Sequence, residues 1–298
     1  MASWQAYFAS WILRRRLKPK LRASRDLLES RKLLTPPPYR VPSDVRISPA
    51  VVAGVAGEWA EAAQPGDLTL LYLHGGGYFA CSPETHRPIT AAFAQQGFRV
   101  YAADYRRAPE AHFPSPVEDA LAAYRGLRAA GVAAARMVVA GDSAGGGLAL
   151  ALLVALRDAK EPLPAAAALF SPWTDLAATG ASLQTNSRRC SLFDGKGIAA
   201  AARPYLNGAD PRHPLASPLY ADLAGLPPLL IHVGSNETLL DDSVQLAARA
   251  RAAGVTVELK IWPVVPHTWQ LAQSNIPEAR KSVREAAAFL HAAAAQTN

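Results

Sequence analysis

The stretch VVAGDSAGGGLAL, residues 138–150, decides how the rest of the chain is read. An apolar, β-branched run ends at Gly141, Ser143 stands between Gly141 and Gly145, and the residues that follow have helical character. A strand that turns straight into a helix around a serine in a G-x-S-x-G frame is the setting of a nucleophile elbow. The turn is so tight that the neighbours two positions away must be small, which accounts for both glycines. The hydroxyl is then held out above the sheet, with the N-terminus of the helix beneath any developing negative charge. A lone G-x-S-x-G is also met in plain glycine-rich turns, so Ser143 needs support from other parts of the chain.

Outward from this point, short apolar runs alternate with amphipathic ones. LTLLYLH (68–74), FRVYAADY (98–105), RMVVAG (136–141), AAALFSP (166–172), PPLLIHVGS (227–235) and VTVELKIWP (255–263) read as strands. The segments between them, and IPEARKSVREAAAFLHAAAA (276–295) at the end, read as helices. That order predicts an α/β fold with a mostly parallel sheet covered on both faces. A few short strands are expected through VAGVAGEWAEA (52–62). Residues 1–45 form a helical leader closed by TPPPYRVP, where clustered prolines forbid further helix. Residues 176–215 show no clear period and read as an irregular insertion facing the substrate.

The composition narrows the function. The chain has 298 residues, half of them hydrophobic, and no long uniformly apolar stretch, which describes a soluble globular protein without a membrane span. Two cysteines, Cys81 and Cys190, give neither a disulfide framework nor metal-ligand spacing, so a reducing cytoplasm is the default location. The net charge of +7 is uneven: residues 1–40 hold ten Lys/Arg against Asp26 and Glu29, and the rest nets −1. A nucleic-acid-binding protein would spread such charge over a working surface with a recognition motif, and none is present. Trp4, Tyr7, Phe8 and Trp11 fall on one helical face, and Arg14, Arg15 and Arg16 follow. Such a helix could touch anionic membrane; the preferred reading is that the face is buried over the pocket.

Two further motifs support Ser143. In LHGGGYF (73–79), glycines let backbone N–H groups approach an oxyanion closely, and the expected donors are Gly75, Gly76 and Ala144. A phosphate loop would carry a following lysine, which is missing here. His74 is read as orienting this loop. In HVGSNETLLDDS (232–243) and PVVPHTW (263–269), Glu237 and His267 each follow a strand. A parallel sheet then carries both to the edge that holds Ser143, in the order nucleophile, acid, base. Asp241 and Asp242 are read as biasing the first turn of a helix. Asp142 is read as holding a neighbouring loop, and Leu192 and Phe193 as lining an acyl pocket.

Together HGGG, DYRRAPEAHFPSPVEDALAAYR, GDSAGGG, FSPWTDL and PPLLIHVGSNETLLDDS resemble the bacterial hormone-sensitive-lipase-like esterases, the family IV lipolytic enzymes. The resemblance implies an α/β-hydrolase fold with a helical cap built from residues 1–45 and 176–215. It implies a serine carboxylesterase acting on short-chain esters through an acyl-enzyme, with no cofactor and no metal. Ser143 is then nucleophile, His267 base and Glu237 acid, where relatives more often carry aspartate. The expected partner is a small-molecule ester, with no nucleic acid and no stable membrane insertion, and the resemblance leaves a homodimer open. An amidase or lactonase would share these residues; a non-catalytic receptor on the same fold would be expected to lose one of them.

Overall fold

The computed structural model describes residues 1–24 and 26–296; Arg25, counted above in the basic leader, lies outside the described residues. Eight strands form one sheet: β1 (Val45–Val52), β2 (Val55–Ala62), β3 (Thr69–Leu73), β4 (Arg99–Ala103), β5 (Met137–Asp142), β6 (Ala167–Phe170), β7 (Leu229–Gly234) and β8 (Val257–Trp262). Their order is β1-β2-β4-β3-β5-β6-β7-β8. Strand β2 pairs antiparallel with β1 and β4, and all other pairs are parallel. The "short strands" expected near residue 52 are thus two eight-residue strands of a hairpin. Ala53 and Gly54 both have positive φ at its turn, which suits the right-handed twist of the paired strands.

Alternate side chains of the central strands enter two cores, as the twofold strand period requires. Leu71, Leu73, Val139, Leu169 and Ile231 meet helices α5 (Ser115–Ala129), α6 (Ala144–Asp158) and α9 (Leu240–Ala252) on one face. Leu70, Tyr72, Val138, Ala168 and Leu230 meet α4 (Pro83–Ala94) and α10 (Pro277–Gln296) on the other. Every residue of β3, β5, β6 and β7 is buried.

The leader comprises α1 (Trp4–Ile12), a π-helical stretch (Leu13–Leu17), α2 (Lys18–Ala23) and α3 (Leu27–Leu34). Its aromatic face is not buried. Ala6 packs against Trp262, Val265, Trp269, Ile276 and Ala279 and Ser10 is also buried, while Trp4, Tyr7, Phe8 and Trp11 point to solvent. Small residues make the closer contact with the tryptophans of the body, so they take the inner face. The insertion after β6 is also more ordered than its sequence suggests. It holds α7 (Ser182–Thr185) and the 12-residue α8 (Gly195–Leu206), started by the Asp194 side chain accepting from Gly197 N–H.

Candidate active site

Ser143 sits between β5 and α6 with φ 52° and ψ −121°, a conformation that costs a non-glycine residue on the order of 1–3 kcal/mol. Its backbone is pinned: its N–H donates to Phe170 O (2.8 Å), and its carbonyl accepts from Trp173 N (2.8 Å) and Gly147 N (3.1 Å). The flanking glycines are there for space. A Cβ on Gly141 would lie 2.3 Å from Gly145 O, and one on Gly145 would lie 2.0 Å from Leu73 O.

The carboxyl ends of three strands bring Ser143, Glu237 and His267 together. Ser143 Oγ lies 2.9 Å from His267 Nε2, and His267 Nδ1 lies 2.5 Å from Glu237 Oε2. Glu237 Oε1 accepts from Gly234 N (2.6 Å) and Ser171 Oγ (2.7 Å), so the buried carboxylate is held on both oxygens. Asn186, from the insertion, donates to the carbonyls of Glu237 (2.9 Å) and Ser235 (3.2 Å) and fixes the same loop. Ser171 and Asn186 escaped the sequence reading. The signal for Ser171 was its place immediately after a strand neighbouring that of the acid.

The rival acids have other work. Asp241 Oδ2 accepts from Ser182 N (2.8 Å), and Asp242 Oδ2 accepts from Thr174 N (2.8 Å) and Asp175 N (2.9 Å). Burial pushes the Asp242 carboxyl up to about 8, against the pull of those two N–H groups. Other histidines are engaged elsewhere: His112 with Pro204 O, His232 with Ser282 Oγ, His291 with Gln96 O.

The glycine loop requires one correction. Gly75 N–H donates to Asp142 Oδ1 at 3.0 Å, so this expected oxyanion donor is already engaged by a buried carboxylate. Among the described residues no acceptor takes the N–H of Gly76, Gly77 or Ala144. Gly77, one residue further along than expected, replaces Gly75 as a candidate. Gly76 (φ 116°) and Gly77 (φ 63°) adopt left-handed backbone, and a Cβ on Gly76 would lie 2.1 Å from Ala80 O.

Asp142 also accepts from Tyr72 Oη (2.7 Å) and contacts His86 Nε2 (3.2 Å). Burial pushes its carboxyl up, but His86 and Tyr72 outweigh that and hold it below its ordinary value. His74 is buried, which depresses its pKa well below the usual value and keeps it neutral. Arg107 Nη1 donates to its Nε2 (3.2 Å), so the proton is on Nδ1, which donates to Gly75 O (2.6 Å). His74 therefore orients the loop rather than serving Ser143.

The site opens into a cavity of about 940 Å³ whose walls include Ser143, His267, Gly76 and Gly77. Leu17, Leu21 and Leu34 of the leader and Leu192, Phe193 and Ile198 of the insertion also line it. Phe193 and His267 meet edge-to-face with ring centroids 5.2 Å apart. Among the described residues no three His, Cys, Asp or Glu side chains gather as metal ligands, and no helix is long and apolar enough to cross a membrane.

A strand–serine–helix elbow, a buried carboxylate–imidazole–hydroxyl chain and a glycine loop define an α/β-hydrolase. A family model for the alpha/beta hydrolase fold matches residues 70–271. An acetyl-hydrolase of Streptomyces hygroscopicus is 49% identical over 253 residues, 85% of this chain and 83% of that protein. A crystal structure of an esterase from the bacterial hormone-sensitive lipase family superposes with a TM-score of 0.90 at 42% identity, covering 97% of this chain and 98% of that one. EstE5, soaked with p-nitrophenyl butyrate, gives a TM-score of 0.94 at 40% identity, covering 99% of this chain and all of that one. The chain belongs to the α/β-hydrolase family, among its bacterial hormone-sensitive-lipase esterases.

Proposed function

We propose that this carboxylesterase hydrolyses short-chain esters through an acyl-enzyme, with Ser143 as nucleophile, His267 as general base and Glu237 as the acid that orients it. The observation that carries the reading is the unbroken chain from Glu237 Oε2 through His267 to Ser143 Oγ, at 2.5 and 2.9 Å. As Ser143 attacks the carbonyl carbon, His267 Nε2 takes its proton and Glu237 stabilises the imidazolium. The tetrahedral oxyanion is met by the N–H groups of Gly76, Gly77 and Ala144. His267 then protonates the departing alcohol, and water repeats the sequence to release the acid. Residues 1–45 and 176–215 act as the cap, and Phe193 beside His267 limits the acyl chain. Butyrate is the acyl group that was supplied to EstE5.

The test is turnover of p-nitrophenyl esters of increasing acyl length by wild type, Ser143→Ala and His267→Ala. Turnover is expected to peak at short chains and to fall to background in both variants. Full turnover in either variant would overturn the assignment.

A further inference from the structure

We propose that the outer face of α1 is a docking surface for anionic lipid membranes. Among the described residues, Trp4, Tyr7, Phe8, Trp11 and Ile12 are all exposed large hydrophobic side chains of this single helix, at 72%, 54%, 53%, 48% and 37% of their full accessibility. Phe8 stacks on Trp11 (centroids 6.1 Å apart, planes at 16°) and also meets Trp4 (6.4 Å), so the rings form one continuous patch. Contiguous exposed apolar surface of this kind marks an interaction site, whereas scattered single residues do not.

The patch is not the loose end of a frayed helix. Ser3 caps α1 by accepting from Ala6 N, and its own N–H and hydroxyl donate to Glu278 at 2.6 and 2.8 Å. Ala6 is fully buried against the body. The helix is held by its small-residue face and presents its aromatic face outward.

Charge identifies the occupant. Between Met1 and Arg22 there are six Lys/Arg and no Asp or Glu. Arg14, Arg15 and Arg16 follow the patch directly and are exposed. Among the described residues Arg15 and Arg16 have no acidic partner, while Lys18 is turned to Ser187 O and Cys190 O and Arg22 to Asp194. A second copy pairing through this face would bring two acid-free basic stretches, residues 1–22 of each chain, together. A membrane supplies what both halves lack: an apolar boundary for tryptophan and tyrosine, and negative headgroups for arginine. The same helical run continues into Leu13, Leu17 and Leu21 on the cavity wall, so docking would bring the mouth of the site near the lipid surface. This surface is independent of the ester chemistry.

The test uses the full chain with sedimented vesicles of phosphatidylcholine alone, or of phosphatidylcholine mixed equally with phosphatidylglycerol. Wild type is expected to pellet with the mixed vesicles only, with a blue shift in tryptophan emission and release by salt. Phe8→Ser/Trp11→Ser should abolish pelleting. Arg15→Gln/Arg16→Gln should weaken partitioning on the order of 30-fold, at about 5-fold per arginine. Turnover of dissolved p-nitrophenyl acetate should be unchanged in both variants, which separates loss of docking from loss of the site. Wild type left in the supernatant, or a Phe8→Ser/Trp11→Ser variant that pellets normally, would overturn the proposal. So would a wild-type dimer that this variant splits and that does not pellet with vesicles.

Discussion

Glu237→Gln probes the triad where its geometry is tightest. Glutamine has nearly the same shape but only one oxygen, and the site asks for acceptors on both sides. If the oxygen faces Gly234 N and Ser171 Oγ, the amide NH₂ faces His267 Nδ1. The imidazole must then carry its proton on Nε2 and can no longer accept one from Ser143. If the amide is turned round, its NH₂ meets Gly234 N–H, and a buried donor goes unpaired at a cost of about 1–3 kcal/mol. That makes the productive orientation on the order of 10–100-fold rarer. Even there the imidazolium faces a neutral amide, which is worth another ~10–100-fold because charge-assisted hydrogen bonds are about twice as strong. The product puts the loss in kcat on the order of 10²–10⁴-fold, about 3–5 kcal/mol of barrier. The assay is kcat on p-nitrophenyl acetate, with a thermal melt to show that the variant is folded. Asp241→Asn, whose carboxylate caps Ser182 N, should retain near wild-type kcat. A folded Glu237→Gln within tenfold of wild type, or an Asp241→Asn that loses more, would refute the reasoning.

Gly145→Ala drives a Cβ to 2.0 Å from Leu73 O and 2.4 Å from His74 O, both backbone atoms of the central sheet and its loop. It should fail to fold or lose at least ~100-fold in activity; a normal melt with normal kcat would contradict the packing argument. Phe193→Ala removes a cavity wall beside His267 and should shift the preferred p-nitrophenyl ester to longer acyl chains with little change in melting temperature. Asp242 keeps a proton in the fold up to about 8, whereas the unfolded chain releases it near the ordinary carboxylate value, so the unfolded state gains as pH rises through that window and stability falls. Asp242→Asn has no such proton, so its melting temperature relative to wild type should climb between about pH 5 and pH 8; a constant difference would show that the group is already ionised.

The fold was legible because its central strands are buried on both sides and most of its helices on one, a contrast that hydrophobic period records directly. The triad was legible because a parallel sheet turns sequence order into position along one edge. What escaped depended on direction. The sequence HGGG shows where backbone can pass closely, but where each N–H aims is set by Asp142, which reaches from the end of β5 to take the N–H of Gly75. Period likewise places Trp4, Tyr7, Phe8 and Trp11 on one face without saying which face is inward. Ala6, which packs against Trp262 and Trp269, and Ser10, which is also buried, mark the inner face. Helix α8 was missed because its two glycines and Pro204 weaken local propensity, while Ile198, Ala202, Tyr205 and Leu206 supply the buried face that holds it.

The glycine loop is clamped from three directions, and this bears on how the leader can be tested. Asp142 holds Gly75 N from the nucleophile's own strand, and Arg107 acts through His74 on Gly75 O. The third clamp is Arg31 of α3, which donates to Phe79 O at 2.6 Å and Ala108 O at 2.5 Å while pairing with Glu110 at 2.7 Å. The leader therefore helps set the loop that offers its N–H groups to the oxyanion, besides carrying the aromatic face of α1. Deleting residues 1–40 would remove both at once. Lost turnover after such a deletion would be expected whether or not α1 meets a membrane. Substitutions at Phe8 and Trp11 leave Arg31 and its three acceptors in place, so only they separate the two roles of this segment.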